Sequence, residues 1–170
     1  VIGLYLSAHP LNRFDFILNK MCQVKLDAFN NIEEYNNREI AVAGVITSVT
    51  PLTTKDGRRY ARFVLEDYNS QHEFTLFSKE YQQWGLLLEP NGFLYIKGRV
   101  QPPPYRENGE LEYKITSISH LADVADNINT IRIDFEIHEI CNTLTDMLLE
   151  NISKNPGKCT LSFTVYDRNA

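Results

Sequence analysis

The sequence predicts a mainly β fold: three strands, a short helix and two further strands close into one small barrel, with a helical segment before it and a β-α-β unit after it. Three observations carry this prediction. Apolar residues alternate with period two from Arg38 onward, turn residues separate the alternating runs, and one window between the third and fourth strands carries helical spacing instead. The chain has 170 residues, of which 43% are hydrophobic, which is enough apolar material for one good core and a second small unit.

At the start, Leu11, Phe14, Ile17 and Leu18 recur at helical spacing after a His9-Pro10 break, predicting a short helix that could bury little alone. The Asn-rich run from Asn30 to Asn37 reads as a linker or a loosely packed approach to the next domain. From Arg38, Ile40, Val42, Gly44 and Ile46 alternate with Ala41, Ala43 and Val45 in a first strand that breaks at Pro51. Asp56-Gly57 favours a chain reversal with positive φ, and Tyr60, Arg62 and Val64 then alternate with Ala61, Phe63 and Leu65, completing a hairpin. His72 to Phe77 is a third strand with Phe74 and Leu76 on one face.

Lys79 to Leu88 carries Tyr81, Trp84, Leu87 and Leu88 at three- and four-residue spacing, a short helix stopped by Pro90-Asn91-Gly92 that would plug one end of the sheet. Phe93 to Val100 is a fourth strand, and Leu111 to Ser119 a fifth. This order is the one expected of a five-stranded Greek-key OB-fold barrel, whereas an SH3-like barrel would lack the helix. Leu121 to Asn129 is polar and turn-like, Ile131 to Glu136 a strand, Glu139 to Ser153 a helix ended by Asn155-Pro156-Gly157, and Thr160 to Tyr166 a last strand. The expected domains are a helical and linker segment over 1–37, a nucleic-acid-binding OB-fold over 38–120, and the truncated start of a β-α-β domain over 121–170.

The formal net charge is −5. Lys plus Arg against Asp plus Glu is 3 against 4 over 1–37, 10 against 10 over 38–120, and 4 against 8 over 121–170. A neutral middle requires any contact with phosphates to be local. Cys22, Cys141 and Cys159 are odd in number and widely spaced, which suggests neither a disulfide framework nor a zinc site and fits a reducing cytoplasm. The opening residues and the lack of a long apolar run read as a piece of a longer soluble protein with no membrane contact.

An OB barrel holds single strands by laying bases on outward aromatics while cations follow the backbone. The best cluster is Lys55, Arg58 and Arg59 in the hairpin turn with Tyr60 and Arg62 on the second strand; as a solvated hairpin it would carry the same charges. Tyr95, Lys97 and Arg99 share one face of the fourth strand, which serves equally to bind a strand or to be covered by neighbouring structure. Tyr105 and Arg106 lie in a proline-stiffened loop at the usual OB cleft. No catalytic residue is expected: Asp134 and Glu136 suit the wet face of a strand, Glu66-Asp67 suits turn chemistry, the histidines lack metal-ligand spacing, and no phosphate loop or nucleophile motif occurs. No metal and no cofactor are expected.

Three segments carry a family resemblance. Gly3-Leu4-Tyr5-Leu6-Ser7-Ala8-His9-Pro10-Leu11, then Ala43-Gly44-Val45-Ile46 through Thr53-Thr54-Lys55-Asp56-Gly57 to Phe63-Val64-Leu65-Glu66-Asp67, then Asn155-Pro156-Gly157-Lys158-Cys159, together resemble the region after the catalytic core of bacterial replicative (C-family) DNA polymerase III alpha subunits. The departure is Asn69-Ser70-Gln71, where the family pattern has a turn glycine. The resemblance implies a non-catalytic stretch spanning the exit from a helix-hairpin-helix domain, the OB-fold and the start of the tau-binding domain. Nucleotidyl transfer would belong to an upstream palm. It implies single-stranded template DNA as ligand, and the clamp-loader tau subunit and the sliding clamp as partners through the parent polymerase. A replisome-interaction module with the barrel as spacer, and an anticodon-binding OB-fold of a tRNA synthetase, are the competing readings.

Overall fold

The computed structural model describes residues 9–103 and 110–168, in two compact units, one ending at Ala125 and one starting at Asp126. In the first, strands β1 (Glu39–Thr53), β2 (Arg59–Glu66), β3 (Gln71–Leu76), β4 (Phe93–Gln101) and β5 (Glu112–His120) form one antiparallel sheet in the order β3-β2-β1-β4-β5. Between β3 and β4 lies the predicted helix, here α2 (Ser78–Trp84) continued by a 3-10 turn over Gly85–Leu87. The OB-fold expected from the sequence is thus present, with β1 at its centre.

Strand β1 serves two ladders. Glu39 to Val45 pairs with Arg99 to Phe93 of β4, and Val45 to Thr53 pairs with Glu66 to Arg59 of β2, with a register irregularity between Ile46 and Ser48. Such an irregularity bends a strand and lets one sheet curl into a barrel. Gly44 sits where the ladders meet: a Cβ there would lie 2.4 Å from the Glu66 carbonyl oxygen. Inside the barrel, Val42, Ile46, Ala61, Phe63, Leu65, Phe74, Leu76, Leu94, Ile96, Ile115 and Ile118 form the core, with Tyr81, Trp84 and Leu87 packed against it from α2 and its 3-10 extension. Removing each such large side chain from water contributes roughly 1.5–3 kcal/mol.

Alternation along β1 breaks down in one respect: Ala41, Ala43 and Val45 are buried as well as Ile40, Val42 and Ile46. The covering comes from the N-terminal segment, a 3-10 turn over Pro10–Phe14 followed by α1 (Asp15–Lys20), in which Leu11, Phe14 and Ile17 are buried. Phe14 meets Phe93 of β4 at 5.5 Å between ring centroids, and the Gln23 side chain accepts from the Ala41 amide at 2.8 Å. The Asn-rich run, expected to be a linker or a loosely packed approach, is instead helical as far as Tyr35, in a 3-10 stretch over Leu26–Tyr35 broken at Asn31. Its Phe29 stacks on His72 of β3 at 4.1 Å and meets Tyr113 of β5 edge-on at 5.1 Å. The two edge strands of the sheet are therefore bridged by one aromatic side chain.

Asp67, 5% exposed, ties this segment to the barrel. One of its carboxylate oxygens accepts from the Leu26 amide at 2.9 Å, and the other from the amides of Asn69 and Ser70 at 2.9 Å and the Ser70 hydroxyl at 3.1 Å. The carboxylate shapes the turn, and none of its residues takes positive φ, so the family's glycine is not needed there. The Asp56-Gly57 turn is as expected, with Gly57 at φ 78°. Leu121 corrects the sequence reading: it is fully buried and opens a helix, α3 (Leu121–Asp126), where a polar turn was expected.

In the second unit, β6 (Thr130–Glu136) and β7 (Thr160–Tyr166) pair in parallel, joined through α4 (Asn142–Lys154). Parallel neighbours need such a crossover. Asp134 is ion-paired with Arg132 at 3.1 Å and Glu136 with Arg168, and a Glu136 carboxylate oxygen lies 3.1 Å from His138 Nδ1.

Asp67→Ala leaves three backbone amides and one hydroxyl without their acceptor, and should cost about 2–4 kcal/mol in urea unfolding followed by Trp84 fluorescence. An unchanged midpoint would show that the Asp67 contacts contribute nothing net. Burial lowers the His72 pKa, and the Glu73 carboxylate opposes that shift only in part. The folded chain therefore takes up this proton at lower pH than the unfolded chain, whose histidine titrates near 6.5. Stability attributable to His72 is present above that pH and lost as pH falls below it. The unfolding midpoint of wild type should fall more steeply than that of His72→Gln between about pH 7.5 and 5.5; parallel profiles would assign the proton to another group.

Candidate nucleic-acid interface

The β1–β2 hairpin projects Lys55, Arg58 and Arg59 into solvent. Its reversal is closed by bonds from the Thr54 amide to the Arg58 carbonyl and from the Gly57 amide to the Thr54 carbonyl, both 2.9 Å. Arg58 is ion-paired with Asp56 at 2.6 Å, so part of its charge is already answered. The ladders then set the outer face. Leu52 of β1 lies beside Tyr60 of β2, and since Ala61 pairs with Leu76, Tyr60 faces Phe77 at the end of β3. The Tyr60 and Phe77 rings stack at 5.8 Å with planes 19° apart, and Phe77 is 58% exposed. Its own amide donates to Glu80 Oε2 at 3.2 Å, fixing the start of α2 against it. One row along, Thr50, Arg62 and Thr75 stand abreast, and Arg62 approaches Glu73 at 4.0 Å.

This arrangement brings together Lys55, Arg58, Arg59, Tyr60 and Arg62 as anticipated, and adds Phe77, which sequence reasoning passed over. Period-two alternation beyond Phe74 and Leu76 was the available signal, since it puts Phe77 on the outward side with Thr75. A stacked aromatic pair with Phe77 exposed and Tyr60 half-buried, flanked by cations, offers a base a flat apolar surface and its phosphates a positive field.

Tyr95 does not join the site. It is 6% exposed, and its hydroxyl donates to the Met21 carbonyl at 3.2 Å, because the N-terminal segment covers the outer face of β4 at this point. Burial pushes its phenol pKa up. Lys97, whose ammonium lies 5.8 Å from the Tyr95 ring centroid, and Arg99 are exposed, but β1 separates their strand from β2. Tyr105 and Arg106 lie outside the described residues. Among the described residues no group of three or more His, Cys, Asp or Glu is placed to hold a metal ion.

The environments of Phe77 and Tyr95 predict opposite outcomes for stability. Phe77→Ala should stay within about 0.5 kcal/mol of wild type in urea unfolding, whereas Tyr95→Ala should cost about 3–5 kcal/mol. Equal losses would contradict the assignment of Phe77 to the surface and Tyr95 to the core.

Residues 40–121 match the family model described as an OB-fold nucleic acid binding domain. DNA polymerase III subunit alpha of Buchnera aphidicola subsp. Acyrthosiphon pisum is 33% identical over 101 residues, 59% of this chain and 8% of that protein. The subunit from Campylobacter jejuni is 32% identical over 83 residues, 49% of this chain and 7% of that protein. Among solved structures, a mitochondrial single-stranded DNA binding protein from S. cerevisiae aligns with a TM-score of 0.35 at 17% identity, covering 49% of this chain and 94% of that one. The chain thus matches less than a tenth of the length of these two polymerase subunits. Taken with the strand order and the helix between β3 and β4, the match supports the OB-fold of residues 40–121, in a chain similar to part of DNA polymerase III subunit alpha.

Proposed function

We propose that this OB-fold binds single-stranded DNA, as the template strand of a replicative polymerase, on the outer face of β2 and β3. The stacked pair of half-buried Tyr60 and exposed Phe77 carries the reading: it is a stacking platform at the edge of a hairpin that supplies Lys55, Arg58 and Arg59. The chain itself performs no nucleotidyl transfer, and works in the cytoplasm as a non-catalytic part of a larger polymerase. Its neutral barrel and net charge of −5 make binding weak in isolation, which suits a protein that must move along its strand. Tethering to the rest of a polymerase raises the effective concentration and with it the occupancy.

A second role rests on the second unit. Met147, Leu149 and Ile152 of α4, and Leu161, Phe163 and Val165 of β7, are exposed large apolar residues. Such surfaces mark docking sites for protein, and in the resembled family the partners are tau of the clamp loader and, through the parent polymerase, the sliding clamp. The division between the two units, after Ala125, separates the two roles along the sequence.

Fluorescence anisotropy of a labelled single-stranded oligonucleotide titrated with the chain, with a duplex of equal length as control, tests the first role. Single-strand preference that weakens steeply with salt is expected, with Phe77→Ala lowering affinity by about tenfold. Equal affinity for duplex, or no change on Phe77→Ala, would remove the platform as the binding site.

A further inference from the structure

The stacking platform does not end in open surface. Where β2 begins at Arg59 and α2 follows Phe77, the hairpin and the helix enclose a cleft of about 670 Å³, and its walls include Arg58, Arg59, Tyr81, Gln82, Gly85 and Leu86. Among the described residues no carboxylate lines it. Gly85 is needed in its wall: a Cβ there would lie 2.9 Å from the Tyr81 ring, so the bare backbone lets the ring lie against it. Leu86 is 92% exposed at the lip. A single exposed leucine is ordinary on a protein surface. Here it faces the same space as an aromatic ring, two guanidinium groups and a primary amide.

The alternative course for a strand leaving the platform is less favourable. On its other side a groove runs between β3 and β5, and its lining includes Glu73, Glu80 and Glu112 against Lys114 and His72. That rim repels phosphates, whereas the hairpin cleft attracts them.

We infer that the hairpin–α2 cleft takes one nucleotide of a single strand whose neighbouring base lies on the Tyr60–Phe77 platform. The base sits between the Tyr81 ring and Leu86, the Gln82 amide meets its hydrogen-bonding edge, and Arg59 meets its phosphate. The inference rests on the single-strand reading above. It assigns to α2, beyond its role as a plug of the barrel, the task of holding the strand where it turns off the sheet. Arg58 shares its charge with Asp56, so Arg59 is the principal phosphate contact.

Nuclear magnetic resonance of the whole chain tests this, with Leu86 methyl and Gln82 side-chain amide signals followed during titration with a short oligothymidylate and, separately, with thymidine monophosphate. The Leu86 and Gln82 signals should move along with those neighbouring Phe77 on adding the oligonucleotide. Leu86→Ala, a change at an exposed position, should weaken binding by about threefold to tenfold, and Arg59→Ala should reduce the salt slope of log K by about one. If the signals around Phe77 move while those of Leu86 and Gln82 stay fixed, the cleft is overturned and the platform stands. If the monophosphate moves Leu86 and Gln82 as tightly as the oligonucleotide does, the cleft is a free-nucleotide site and its place on a strand's path is overturned. If no signal moves with either ligand, both the cleft and the single-strand reading fall.

Discussion

A single strand shared by two ladders governs the first unit. The first half of β1 belongs to β4 and its second half to β2, and the chain can change partners only because the register slips after Ile46 and because Gly44 leaves room for the Glu66 carbonyl. An alanine at that position would force the two ladders apart where they converge. The curl that follows from the bend turns Val42, Phe63, Phe74 and Ile96 toward one another, and turns Tyr60 and Phe77 outward. Core and candidate interface are thus opposite faces of the same alternation.

The N-terminal segment is structural rather than a tether. It covers the outer face of β1 and β4 with Leu11, Phe14 and Ile17, anchors Tyr95 through the Met21 carbonyl, and is tied to the β2–β3 turn by Asp67. It then lays Phe29 across the opening between β3 and β5. The outer surface divides accordingly: the sector over β4 is filled by the chain's own residues at Tyr95, whereas Arg62 and Phe77 on β2 and at the end of β3 stay exposed. Tyr113 reinforces the inner side, its ring over Gly98 and its hydroxyl 3.0 Å from the Ile40 carbonyl oxygen.

How much of this was legible follows from what alternation encodes. Period two and the Asp56-Gly57 turn were enough to find the strands, the hairpin and the helix between β3 and β4, and hence the OB-fold. They also located the cationic hairpin and Tyr60. Alternation tells which face a residue points to, and is silent on what covers that face. Tyr95 was therefore grouped with Lys97 and Arg99 although a distant segment buries it. Phe77 was passed over for a related reason, since the last residue of a run looks like its boundary. Asp67 read correctly as a turn residue, but its bond to the Leu26 amide joins positions 41 apart, which no local pattern records. The buried Leu121 was hidden by the polar neighbours that make the outer side of its short helix.

The divided allegiance of β1 also constrains the order in which the molecule can assemble. Its second half finds β2 across a tight turn, a local event, but Val45 must wait for Phe93 before the other ladder can start. During synthesis the N-terminal segment leaves the ribosome well before the surface it covers exists, because that surface needs β4 in place. Leu11, Phe14 and Ile17 are then apolar side chains without a partner, and docking them is a late event that closes the fold after the strand pairing at long range has been completed.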